Sequence, residues 1–168
     1  MKRLFLLHAI LISSALLCAQ DTTRISFDRP LNNVNINVCG DISVISLNYE
    51  RLQPIASKFF LSFKLGMGYN TEYEIWNTGD PDKSTITSFH ISGNYGKKNN
   101  LELGLGTSLI KGNPIQEYLI YSILGYRYQP ISSNKFNLRL FTLIPLTKIN
   151  KGDTFLFIPF GVSVGYCF

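Results

Sequence analysis

Apolar and polar residues alternate along most of this chain. The clearest run closes it: Leu156, Ile158, Phe160, Val162, Val164, Tyr166 and Phe168 are interleaved with Phe157, Pro159, Gly161, Ser163, Gly165 and Cys167. Residues 34–38 read Val-Asn-Ile-Asn-Val. From Phe59 to Tyr69 the odd positions are Phe, Leu, Phe, Leu, Met and Tyr, with Phe60, Ser62, Lys64, Gly66 and Gly68 between them. A period of two marks β-strands whose faces meet different surroundings. Turn-forming residues cut the pattern into eight predicted strands, roughly 33–39, 42–52, 58–70, 85–95, 101–110, 117–128, 135–144 and 154–168.

The connections between these strands are of two kinds. Arg51–Lys58, Gly96–Asn100 and Gln129–Asn134 are compact, and they alternate with Asn70–Ser84, Lys111–Gln116 and Pro145–Asp153. Short turns at one end and longer loops at the other are the layout of an outer-membrane barrel, which also needs an even number of strands. Gly40-Asp41 is the exception, a tight turn on the long-loop side. If it is only a bulge in one long strand, the count drops to seven.

The bulk of the apolar face decides which way it points. A lipocalin-like secreted barrel turns its apolar face inward, but an eight-strand interior is just wide enough for side chains to fill. Here that face is crowded with Phe, Leu, Tyr and Ile on every strand, whereas the other is mostly Asn, Ser and Gly. Tyr49, Phe59, Tyr95, Tyr126, Tyr128, Phe136, Tyr166 and Phe168 lie on the apolar face, toward the short turns. That alignment suits a girdle where hydrocarbon meets water. The expected fold is an all-β, eight-stranded antiparallel up-and-down transmembrane β-barrel with a cleaved N-terminal signal peptide.

Several segments resemble small, largely uncharacterised outer-membrane β-barrel proteins of the Bacteroidetes type. They are Ser46-Leu47-Asn48-Tyr49-Glu50-Arg51-Leu52, Leu65-Gly66-Met67-Gly68-Tyr69, Leu101-Glu102-Leu103-Gly104-Leu105-Gly106 and Leu124-Gly125-Tyr126-Arg127-Tyr128. The terminal Gly161–Phe168, with Val164, Tyr166 and an aromatic last residue, resembles the signal read by the barrel-assembly machinery. The resemblance implies a fold and a location in the cell outer membrane, and no established activity.

The N-terminus is consistent with export. Met1-Lys2-Arg3 is followed by the mostly apolar Leu4–Ala19 and then Gln20-Asp21, the order of a secretory signal peptide. The expected organisation is therefore a signal over 1–19, an N-terminal extension over 20–32 and a barrel over 33–168. Lipidation at Cys18 is disfavoured by the large Leu17 before it. Losing Lys2 and Arg3 lowers the net charge from +5 to +3. The remaining basic residues are scattered apart from Lys97-Lys98, which argues against a nucleic-acid surface. Charged residues make up only 16% of the chain against 45% hydrophobic, as a confined polar face predicts.

That polar face carries Glu50, Lys64, His90, Glu102, Arg127 and Arg139. Buried charges need partners, so three cations, two carboxylates and a histidine are expected to form one network that fills the lower lumen and leaves no open pore. His90-Ile91-Ser92, with Glu102 on the next strand, also weakly resembles the His-x-Ser and Glu arrangement of outer-membrane lipid A deacylases, which are small barrels too. A serine nucleophile needs a base within hydrogen-bond reach and a group to orient that base. Two features oppose it here. The inferred phase leaves His90 and Ser92 inside, and a turn centred on Lys98 sets Glu102 opposite Asn94, roughly 13 Å from His90.

Cys39 and Cys167 fall at opposite ends of neighbouring strands, which forbids a bond between them. With His8 in the signal there is no metal-ligand spacing, and no cofactor is expected; Gly104-Leu105-Gly106 lacks the third glycine of a dinucleotide fingerprint. Tyr73, Trp76, Asp80 and Asp82, in the longest loop, are the surface candidates for recognition. The expected role is structural or interaction-based: a monomer in outer-membrane lipid displaying loops over a filled lumen. The alternatives are a lipid hydrolase using Ser92 and His90, and a soluble secreted barrel binding a small apolar ligand.

Overall fold

A computed structural model gives a closed antiparallel barrel of eight strands in simple sequence order. It describes residues 29–71, 83–111, 117–131, 135–147 and 159–168, among which there is no helix. The strands are β1 (Asn32–Val38), β2 (Ile45–Ala56), β3 (Phe59–Thr71), β4 (Lys83–Gly96), β5 (Asn99–Lys111), β6 (Tyr118–Tyr128), β7 (Phe136–Pro145) and β8 (Phe160–Cys167). The segment assigned as signal peptide, and the loop residues Tyr73, Trp76, Asp80 and Asp82, lie outside the described residues.

Alternation orients the sheet. Phe63 pairs with Ile91 and Lys64 with His90 across β3 and β4; Phe63 is 38% exposed on the outside, whereas His90 is 1% exposed inside. The same phase holds on every strand, so the large apolar residues cover the outer wall. Followed once round the barrel, the registers return to β1 about ten residues away, a stagger that goes with strands tilted by ~40°. Closure is made by β1 and β8, from Asn33↔Cys167 to Val38↔Val162. Beyond the ladder, Asn32 and Phe168 exchange backbone hydrogen bonds of 3.0 and 2.8 Å.

The segment around Gly40 is a true reversal, so the count is eight. Cys39 N donates to Val44 O and Ser43 N to Gly40 O. It is longer than two residues, and it delays β2 from the expected 42 to Ile45. Cys39, Gly40, Asp41 and Ile42 all have positive φ, between 54° and 76°, a left-handed path that costs non-glycine residues energy. The path turns the chain inward: Asp41, Ile42 and Ser43 are buried inside the barrel rather than standing above it.

Ile42 meets a second departure from expectation. The inner face is not polar throughout. Ile86, Ile110, Leu119, Ile123, Phe141 and Leu143 form a buried apolar cluster with Ile42 and Tyr121. Most of these residues lie toward the long-loop ends of β4–β7, where the inturned residue supplies an apolar contact and polar side chains would find few partners. At the other mouth, Leu52 and Phe60 are fully buried, and the Arg29 guanidinium lies 4.9 Å from the Phe60 ring. The lumen is therefore filled at both ends as well as in the middle.

Cys39 and Cys167 are unbonded, as their opposite positions require. Asn33 and Cys167 are direct partners in the closing ladder, however, and partners in non-hydrogen-bonded antiparallel pairs stand at a separation a disulfide can span. Asn33→Cys is therefore expected to form an intramolecular bond with Cys167 on oxidation, leaving Cys39 as the single reactive thiol among the three. Thiol counting on the folded variant checks this; three free thiols after oxidation would contradict ring closure.

Candidate functional site in the barrel lumen

The titratable side chains of the inner face form two connected clusters. In the lower one the forked guanidinium of Arg127 on β6 spans the Glu50 carboxylate of β2, at 2.8 and 2.5 Å. A weaker contact of 3.5 Å links Arg127 to Glu102 on β5. Glu102 is held by Arg139 on β7, through Nε at 2.6 Å and Nη2 at 2.7 Å. Arg127 and Arg139 are registered neighbours on β6 and β7, an arrangement of like charges tolerated because the two carboxylates answer them. Asn33 donates to Glu50, and Ser92 to Glu102 at 2.6 Å. Bidentate charge-assisted bonds of this kind are strong and fix geometry.

The upper cluster is built on Asp41, delivered from the β1–β2 turn. Lys64 Nζ donates to both of its carboxylate oxygens at 2.9 and 2.8 Å, and Asn37 and Ser46 donate to Oδ2. His90 Nε2 lies 3.0 Å from Oδ1 and 2.8 Å from the Tyr121 hydroxyl, which in turn meets Ser108 at 2.9 Å. Ser108 also donates to the Asp41 carbonyl. One turn residue thus gathers side chains from β1 to β5. Gly106 makes room for this: a Cβ there would stand 2.8 Å from His90 Cδ2 and press on the Tyr121 ring.

All six lumen residues named from the sequence are inside and together, at no more than 3% exposure. They form two groups rather than one, because a third carboxylate joins them. Strand alternation could not find Asp41, which is not in a strand. The signal available was arithmetic: three cations faced two carboxylates, and an acid sat in the one short turn on the long-loop side.

The Ser-His-Glu arrangement is differently wired from a nucleophilic triad. Asn94 pairs with Glu102, the register expected from the turn at Lys98. Ser92 donates directly to Glu102 and contacts Ser62 at 2.7 Å, whereas His90 Nε2 faces Asp41 and Tyr121. The base therefore does not stand between nucleophile and carboxylate, and all three groups are at most 2% exposed. Among the described residues no group of three His, Cys, Asp or Glu could hold a metal. No protein-family model, curated protein or solved structure matches the chain.

Removing one partner of a buried ion pair costs about 3–5 kcal/mol, because the other charge is left uncompensated. Asp41→Ala is expected to lose stability of that order, and the Asp41→Ala/Lys64→Met double variant to recover most of it. Urea unfolding of the refolded protein measures both; a loss below about 1 kcal/mol in the single variant would show that the turn is held by something else.

Proposed function

We propose that this protein is exported and embedded as a barrel in the outer membrane of a Gram-negative cell, as its resemblance to Bacteroidetes-type barrels suggests. The reading rests on one observation above others: a continuous apolar outer wall bordered by aromatic residues at both ends, around an interior whose charges are paired. On β3 the outward run from Phe59 to Tyr69 is about 33 Å along the strand, or ~25 Å upright at a ~40° tilt, the height of a barrel's hydrocarbon band. Tyr69, Tyr118 and Phe160 border the long-loop end, and Tyr95, Phe136, Tyr166 and Phe168 the short-turn end, all exposed. The hydroxyls of Tyr49 and Tyr126 reach Asn32 and Asn99, at the strand ends beside the short turns. Rings in the wall with hydroxyls toward its border are what amphipathic side chains do at a hydrocarbon–water boundary.

Within this reading the barrel is a structural or interaction module, a monomer that holds its longer loops at the surface. A lumen filled with paired charges and apolar caps supports a non-conducting, non-catalytic role. An apolar groove of about 740 Å³ on the outer wall, where Phe89, Leu103, Leu105 and Ile120 surround the smaller Thr107 and Ser122, suits an acyl chain of the surrounding lipid. Val164, Tyr166 and Phe168 are exposed on the outer face of β8, where the barrel-assembly machinery could read them.

The protein is expected to pellet with outer membranes and to migrate differently on gels before and after boiling; a soluble protein without that shift would overturn the proposal. Leu65→Arg, on the middle of the outer wall, should cost about 2–4 kcal/mol of folding stability in bilayers, measured by urea titration in vesicles. Expression should leave lipid A masses unchanged; a change abolished by Ser92→Ala would favour the hydrolase instead.

A further inference from the structure

The two rims differ in charge. The three short connections, between Ala56 and Phe59, between Gly96 and Asn99 and between Tyr128 and Phe136, contain no Asp or Glu, but they carry Lys58, Lys97, Lys98 and Lys135, with Arg51 further back on β2. All five cations are exposed, whereas the ion pairs of Lys64, Arg127 and Arg139 lie in the lumen. The long connections hold acids and bases together, with Glu72, Glu74, Asp80, Asp82, Glu117 and Asp153 beside Lys83, Lys111, Lys148 and Lys151. The connections at one end of the barrel are thus uniformly cationic and those at the other mixed.

The cations stand at the edge of the aromatic border. Lys135 Nζ lies 5.4 Å from the centroid of the Tyr166 ring. Lys58 closes the turn before Phe59, and Lys97 and Lys98 follow Tyr95 by two and three residues. Arg51, an exposed residue of β2, donates from Nη1 to Asn32 Oδ1 at 2.7 Å. In a membrane, a position just beyond the interfacial aromatics is headgroup depth. A scattered set of lysines would be unremarked on a soluble surface. Here the barrel places Lys58, Lys97, Lys98 and Lys135 round one rim, which in the membrane reading is headgroup depth.

We propose that the short-turn rim is a binding surface for anionic phospholipid headgroups, with Lys58, Lys97, Lys98 and Lys135 as the contacts and Arg51 as a fifth, partly engaged cation. This rests on the membrane reading above and adds the lipid class and the end of the barrel. Each basic residue near an anionic surface gains attraction that falls off within a Debye length. The preference is therefore additive over the rim and sensitive to salt, and it is absent from the mixed long-loop end.

The test uses the full mature chain reconstituted in phosphatidylcholine vesicles containing spin-labelled phosphatidylglycerol or spin-labelled phosphatidylcholine. The immobilised fraction of each probe reports the lipid shell directly. About threefold enrichment of phosphatidylglycerol over phosphatidylcholine is expected at low salt, falling toward onefold in 0.5 M salt. The variant carrying Lys58→Ser, Lys97→Ser, Lys98→Ser and Lys135→Ser should lose the enrichment. The same four positions changed to Arg should keep it, as should Lys111→Ser at the other rim. Equal shells of the two lipids around inserted wild-type protein, or unchanged enrichment in the Ser variant, would overturn the inference while leaving the barrel in its membrane. Failure to insert, with neither probe immobilised, would instead overturn the membrane reading, and this inference with it.

Discussion

An eight-stranded barrel encloses little more than the volume of its own inward side chains, so a charge placed inside must be answered at contact distance. This constraint organises the molecule. Glu50 is answered from β6, Glu102 from β7, and Lys64 by a residue that no strand supplies. The three carboxylates answer Lys64, Arg127 and Arg139, with His90 and Tyr121 as further titratable groups among them and Arg29 buried at the short-turn mouth. A buried pair gains little over an apolar pair of the same shape but loses several kcal/mol when one partner goes. The lumen is therefore better understood as a specification of which strands neighbour which than as a source of net stability.

Filling the interior in this way leaves little room there for a ligand. Ser92, Glu102 and His90 Nε2 are engaged inside the wall, where a substrate would have to displace an ion-pair network to reach them. What remains available to partners is the outer wall and the two rims. The rims differ because the short turns have a different composition from the loops, not because the strands do.

Much of the architecture is legible in the sequence, for a physical reason: alternation is a local property that survives without knowledge of any contact. It sets the phase of Phe63 against His90, and together with the turn residues it sets the strand number and, through the turn at Lys98, the register of Asn94 with Glu102. It also places the six lumen residues on the correct face. The turn at Gly40-Asp41 is legible as a turn, but its inward path is not, since Asp41 and Ile42 adopt left-handed conformations that a tertiary contact compensates and local propensity disfavours. The partner of Lys64 was lost with it, as was the apolar cluster beneath the long-loop rim. The pairing of Ser92 with Glu102 rather than His90 is a choice among neighbours a few ångströms apart, below what periodicity resolves.

The ion pairs also differ in how much chain they enclose. Asp41 and Lys64 are 23 residues apart, Glu102 and Arg139 are 37, and Glu50 and Arg127 are 77; the contact of Asn32 with Phe168 spans 136. Closing a longer loop costs more entropy and comes later unless something assists it. The first four strands can accordingly complete the Asp41 cluster's contacts with Lys64 and His90 on their own. Glu50, in the same stretch, must wait for a strand that begins at Tyr118. Until then Glu50 shares Lys64, its partner across β2 and β3, with Asp41, and the arrival of β6 is what lets each carboxylate take its own cation.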